Sequence, residues 1–400
     1  MNYILDATVE ELTDKYVKGY ARYVNDHEQR LTVEIYSGNT LIGTALADQF
    51  DDNLIARGKG DGHYSFIFNF PPDIKDLSNI SVKLKGTDFV LPLTHKIKTV
   101  FYIRKNTEIL KTFSEEFWNN SLNFAFCIDK NYFQHFLVVL ISILKNHKKR
   151  NVIIHLIYEN LEIEDFQVLE RISNKYKFFL NLIDLTGKID IKNVPVSRYY
   201  SQAIYFRLLI PELLPGALKK VLFLDADVML NGNIERIFDI DIDNYYAAAV
   251  EDEEVMLSIE NTRKRLLMSD TANYFNAGIL MINTKKWRQN SLKEKCVNFI
   301  DKNYYRMYLN DQDVLNSVIN GNWYPLDPKY NLQKVFHMQR TYKSAYSDAD
   351  YKESKLNPLL IHYVSVNKPW HFLNAHPFKE LYWKYLYEIN IDICPPETLR

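Results

Sequence analysis

The 400-residue sequence predicts an α/β chain in which a small all-β module precedes a doubly wound, Rossmann-like sheet. Two observations carry that prediction. Between about residues 15 and 100, apolar and polar side chains alternate in short runs separated by turn signals. From Leu122 onward, apolar runs of strand length alternate with segments of helical period.

The first region holds "RLTVEIYSGNTLIGTALAD" (30–48), whose Ser37-Gly38-Asn39 is a hairpin signal, and "HYSFIFNF" (63–70), closed by Pro71-Pro72. "ISVKLKG" and "DFVLPL" read as a further hairpin. The spacing predicts a β-sandwich-like accessory domain over 1–112. Gly58, Gly60 and Gly62 read as a turn, because no helix follows them. In the second region, "LNFAFCID", "NVIIHLIYE" and "KFFLNLIDL" read as buried strands. The segments between them, 131–147 and 162–176, have helical period. The β-α-β-α-β alternation argues for parallel strands covered on both faces. Ligands of such sheets bind beyond the C-terminal strand ends. The catalytic domain is placed at 113–400, with a helical tail.

Composition narrows the function. The chain is 47% hydrophobic with a net charge of −1, so nothing draws it to nucleic acid. Cys127, Cys296 and Cys394 form neither a disulfide framework nor a zinc spacing, which fits a reducing compartment. The N-terminus lacks the basic and apolar regions of a signal peptide, and no apolar run is long enough to span a bilayer. A cytoplasmic protein is expected, and peripheral attachment to the inner membrane face is compatible with that. The sequence has neither G-x-G-x-x-G nor G-x-x-x-x-G-K-[ST], so any nucleotide site is built another way.

"KKVLFLDADVML" (219–230) is the most informative segment. A buried strand runs straight into Asp225 and Asp227. Two carboxylates there are costly to leave uncompensated. A divalent cation with oxygen ligands would compensate them, and helix capping or loop hydrogen bonding is the alternative. The D-x-D spacing alone decides nothing, because it recurs at Asp239/Asp241/Asp243, Asp311/Asp313 and Asp348/Asp350.

"YFRLLIPELLP" (205–215) followed by that segment resembles retaining glycosyltransferases of family 8, a group with bacterial lipopolysaccharide galactosyl- and glucosyltransferases and glycogenin. "YFNAGILMINTKKW" (274–287), "NDQDVLN" (310–316), "YNLQ" (330–333) and "HYVSVNKPWH" (362–371) match in the family's order. The resemblance covers about residues 120–375 and implies a nucleotide-diphospho-sugar transferase (GT-A) fold. The N-terminal region resembles β-sandwich modules attached to some bacterial glycosyltransferases.

The resemblance also implies roles. Asp225, Asp227 and His362 would hold Mn²⁺ (or Mg²⁺), and Lys368 would contact the donor diphosphate. Asp129 and Asn131 would hold uracil and ribose, with a helix N-cap as the alternative. Arg207 would lie near the donor's sugar and phosphate, with a buried ion pair as the alternative. Asn276, Asp252, Asp311 and Gln312 would meet the donor sugar at the reacting centre, with a surface loop as the alternative for Asp252. Ser365 stands where family members often have glycine. The implied partners are a UDP-sugar donor and a glycan, glycolipid or glycoprotein acceptor, and the implied reaction is hexosyl transfer with retention. A glycoside hydrolase and a non-catalytic carbohydrate-binding protein are the competing classes. No Ser-His-Asp set or paired cysteine offers an activated nucleophile.

Overall fold

The computed structural model describes residues 3–94, 106–187, 202–333 and 344–392, apart from residues 14, 73, 75, 76, 365 and 373. It divides into two compact units, Met1–Lys105 and Asn106–Arg400. No helix among the described residues is long and apolar enough to cross a membrane.

The first unit is all-β apart from short helical turns. Strands β1 (Leu5–Leu12), β2 (Tyr16–Tyr23), β3 (Thr32–Ser37), β4 (Thr40–Leu46), β5 (Gln49–Phe50), β6 (His63–Asn69) and β7 (Ile80–Leu84) form two sheets. Their orders are β1-β2-β6-β5 and β4-β3-β7. Alternation puts one face of each sheet inward, so Val9, Val17 and Phe66 of one sheet share a core with Val33, Ile35 and Val82 of the other. The β3–β4 hairpin turns at Gly38, whose φ of +59° is open to glycine at little cost.

The second unit is built on a seven-stranded sheet. Its strands are β8 (Leu122–Asp129), β9 (Val152–Glu159), β10 (Phe179–Asp184), β11 (Lys220–Leu224), β13 (Ala247–Ala249), β14 (Ile279–Asn283) and β15 (Trp323–Pro325), in the order β10-β9-β8-β11-β14-β13-β15. The first four are mutually parallel, in keeping with their continuous apolar sequences. Strand β14 then enters antiparallel to β11, and β13 is antiparallel to β14. Periodicity reveals burial but not direction, so this reversal was not visible in the sequence. Helix α1 (Phe133–Asn146) connects β8 to β9, and α2 (Ile163–Lys175) connects β9 to β10. Both are right for the crossovers of a parallel sheet. A small second ribbon pairs β12 (Val228–Leu230) with β16 (Leu360–His362).

Trp287 follows β14 on a short helix and is 1% exposed, with its indole N–H donating to the Tyr246 carbonyl at 2.7 Å. Truncating it removes a large apolar volume and one of the two donors to that carbonyl, the other being the Asn283 N–H. Trp287→Ala should lower stability by about 3–5 kcal/mol, read as a drop in the urea midpoint. A shift within error would show that the sheet's outer layer does not depend on this side chain.

Candidate functional site

The site lies where the chain leaves the main sheet. Strand β11 ends at Leu224, and Asp225 N–H still donates to the Gly278 carbonyl at 2.8 Å. Three residues later the chain enters β12, which pairs with β16 in a register that sets Val228 opposite His362. Tyr363 N–H donates to the Asp227 carbonyl at 3.1 Å. Backbone pairing therefore carries His362 to the two carboxylates. One ligand atom from each of Asp225, Asp227 and His362 lies within 4.8 Å of the others.

Their chemistry fits a divalent cation. The donors are two carboxylates and an imidazole, and first-sphere atoms about 2.0–2.5 Å from one ion sit roughly 3–4 Å apart. Asp227 Oδ1 is buried without a hydrogen-bond partner and faces His362 Nε2 at 3.3 Å. The space beside them is kept open by Gly278. A β-carbon there would stand 2.2 Å from His362 Cε1 and 2.7 Å from Asp225 Oδ2.

Positive charge converges on the same acids. Lys368 Nζ donates to Asp227 Oδ2 at 2.5 Å and to the Tyr363 carbonyl at 2.7 Å. Burial opposes ionisation of Asp227, yet Lys368 and His362 outweigh it and hold the carboxyl well below the usual range. Arg207, on the 3-10 segment Gln202–Leu209, donates to Asp225 Oδ1 at 2.8 Å and to the Ala277 carbonyl at 2.8 Å. Its Nε also lies 2.7 Å from Asp311 Oδ2, an ion pair without hydrogen-bond direction. One guanidinium thus serves two acids. Burial pushes Asp225 up against the pull of Arg207, and pushes Asp311 up to about 7 against the same pull.

A polar network continues from this cluster. Helix α3 (Asn310–Ile319) supplies Gln312, whose Oε1 accepts the Ala277 N–H at 2.8 Å and whose Nε2 donates to Asp252 Oδ2 at 3.0 Å. Asn276 Nδ2 donates to the same oxygen at 3.1 Å, and its Oδ1 accepts the Gly278 N–H at 3.1 Å. Asp252 is buried, so the surface-loop alternative is not what the chain adopts. It caps the turn Glu253–Met256 by accepting the Val255 N–H.

Asp129 ends β8, the parallel neighbour of β11, and Asn131 follows it, so they lie at the same end of the sheet. Asp129 adopts the capping alternative, accepting from Asn131 N–H at 2.9 Å and Tyr132 N–H at 3.2 Å, while the Asn131 side chain is exposed. Of the other D-x-D pairs, Asp313 is buried against Arg265 and Tyr274, and Asp350 caps a helix with Ser347. Ser365 lies outside the described residues. Three residues were not singled out by sequence. Gly278 gave a signal, a glycine entering an apolar strand where another group approaches. Asn331 sat in a matched motif without a role. Tyr132, 39% exposed beside Asn131, resembled any surface tyrosine.

A model of glycosyl transferase family 8 matches residues 123–374. The chain is similar to general stress protein A of Bacillus subtilis (28% identical over 265 residues, covering 65% of this chain and 91% of that one). It is also similar to the lipopolysaccharide 1,2-glucosyltransferase of Escherichia coli K12 (30% identical over 269 residues, 65% and 76% covered). Among solved structures, galactosyltransferase LgtC in complex with donor and acceptor sugar analogues superposes with a TM-score of 0.61. The two are 23% identical, with 69% of this chain and 98% of that one covered, a likeness of GT-A fold.

Two outcomes follow from the geometry. Gly278→Ala should push His362 and Asp225 apart and weaken divalent-cation binding by about 10–100-fold, the scale of a misdirected ligand, while circular dichroism stays native. Unchanged affinity in calorimetry would remove the cation from this cluster. For Asp311, the folded pKa exceeds the unfolded value of about 3.9. The folded state therefore holds the extra proton between about 4 and 7, and stability falls as pH rises through that window. Asp311→Asn lacks this titration, so its stability relative to wild type should improve from pH 4 to pH 7 in urea melts. A pH-independent difference would contradict the burial argument.

Proposed function

Because the chain belongs to glycosyltransferase family 8, we propose that it moves a hexose, galactose or glucose, from a UDP-sugar to a bacterial surface glycan, lipopolysaccharide or protein-linked glycan, with metal dependence and retention of anomeric configuration. The single observation that carries this reading is the Asp225, Asp227 and His362 cluster, joined by Lys368 at the end of a buried strand. Lipopolysaccharide glucosyl- and galactosyltransferases among the relatives support the hexose and the acceptor class.

On this reading Asp225, Asp227 and His362 hold Mn²⁺ or Mg²⁺. When bound, the cation supplies Lewis-acid stabilisation of the leaving diphosphate. Lys368 adds a positioned charge on the same group. Asp129 and Asn131 hold the uridine, with the exposed ring of Tyr132 beside them as a stacking surface for the base. Arg207 orients Asp225 and Asp311. Asp252, Asn276 and Gln312 receive the sugar hydroxyls. The neutral Gln312 amide relays no proton, so it orients the sugar or steadies positive charge at the anomeric carbon. Every assigned residue lies within 113–400, the catalytic domain of this proposal. The β-rich module 1–112 is left to position the acceptor or mediate assembly.

The test is a screen of UDP-sugars for Mn²⁺-dependent hydrolysis or transfer, with UDP calorimetry with and without the metal. Asp227→Ala should abolish Mn²⁺-supported turnover in a folded protein. Lys368→Ala should weaken UDP binding and lower turnover by about 10²–10³. Gln312→Ala should lower kcat and leave UDP affinity nearly unchanged, since UDP lacks the sugar. UDP binding indifferent to metal, or a β-linked product from an α-linked donor in NMR, would overturn the reading.

A further inference from the structure

Asn331 is 1% exposed and follows the 3-10 turn Pro328–Tyr330. Its Nδ2 donates to Asn276 Oδ1 at 3.0 Å, and its Oδ1 faces His362 Nδ1 at 3.3 Å. Side-chain amides have two ends of opposite polarity, and their neighbours decide which way each points. Asn276 is fixed twice. Its oxygen accepts the Gly278 backbone N–H, which can only donate, and its nitrogen meets the Asp252 carboxylate, an acceptor. The group of Asn331 that meets Asn276 Oδ1 is therefore its NH₂. Its carbonyl is left for His362, and a carbonyl only accepts.

From this chain of polarity we infer that Asn331 is a positioning residue for His362. It fixes the neutral ring as the Nδ1–H tautomer, with the Nε2 lone pair directed at Asp225 and Asp227. The relay begins at Asp252 and the Gly278 backbone and ends at the imidazole. Nε2 lies 3.3 Å from Asp227 Oδ1 and 3.9 Å from Asp225 Oδ2. A cation among them would take the nitrogen lone pair and an oxygen of each acid. Metal-bound histidines commonly donate their second nitrogen to a neighbouring acceptor. The cation in this account rests on the function proposed above, whereas the tautomer rests on the contact with the Asn331 carbonyl. The relay also joins two sites by direct contact, because Asp252 accepts from Gln312 as well.

Two measurements test this. The first is ¹⁵N NMR of the metal-free, histidine-labelled chain at a pH where the ring is neutral, with the His362 signal assigned by its loss in His362→Gln. The expected result is Nδ1–H, and an Nε2–H ring overturns the inference. The second is Mn²⁺ affinity in the presence of UDP, read from free Mn²⁺ by electron paramagnetic resonance. Asn331→Leu should weaken it about 10–100-fold with native circular dichroism. Full affinity in a folded Asn331→Leu chain overturns the inference too. Should wild type bind no Mn²⁺, the metal reading fails by itself, and the wild-type tautomer still decides the relay.

Discussion

Negative charge withdrawn from water at the end of one strand organises the catalytic unit. Strand β11 delivers Asp225 and Asp227 to a place where burial opposes the ionised form of both. An uncompensated buried carboxylate costs several kcal/mol, so cationic partners must converge on the pair. They come from separated parts of the chain. Arg207 reaches Asp225 from the segment before the strand, Lys368 reaches Asp227 from beyond β16, and the His362 ring comes from the end of β16 itself. The compensation is incomplete by design of the chain. Arg207 is shared with Asp311, and Asp227 Oδ1 keeps no donor. The residual negative potential is what a divalent ion would find there.

The parts of this arrangement legible in the sequence were those set by local pattern. Val221–Leu224 read as a buried strand from composition, and the acids stood out because they followed it directly. Alternation over 30–70 exposed the β-rich unit, since each of its sheets buries one face. Asp313 shows the limit of spacing. It shares a D-x-D with Asp311, yet two residues along a helix are roughly half a turn, which sends it to Arg265 and Tyr274, away from the cation cluster. The direction of β14 was hidden because antiparallel and parallel buried strands have similar apolar sequences.

Residues that act through others were the least legible. Asn331 contacts no carboxylate of the cluster, and its importance lies in the orientation of an amide that three other groups impose. Gly278 matters for an atom it does not have. Both effects depend on the meeting of β11, β14 and the β12–β16 ribbon, a tertiary coincidence that no window of sequence displays.

The pairing of β12 with β16 also bears on the order in which the molecule acquires its shape. Lys368 and Asp227 are 141 residues apart, and β12 meets β16 across a comparable span. Closing so long a loop is entropically unfavourable until other contacts have shortened it. The parallel strands β8, β9 and β10, joined by nearby helices, can assemble first. A ribosome-bound chain that has reached only β14 would expose an acidic strand end with neither its histidine nor its lysine. The carboxylate pair therefore spends part of every synthesis cycle solvated, and it gains its lysine and histidine neighbours only when the last portion of the unit docks.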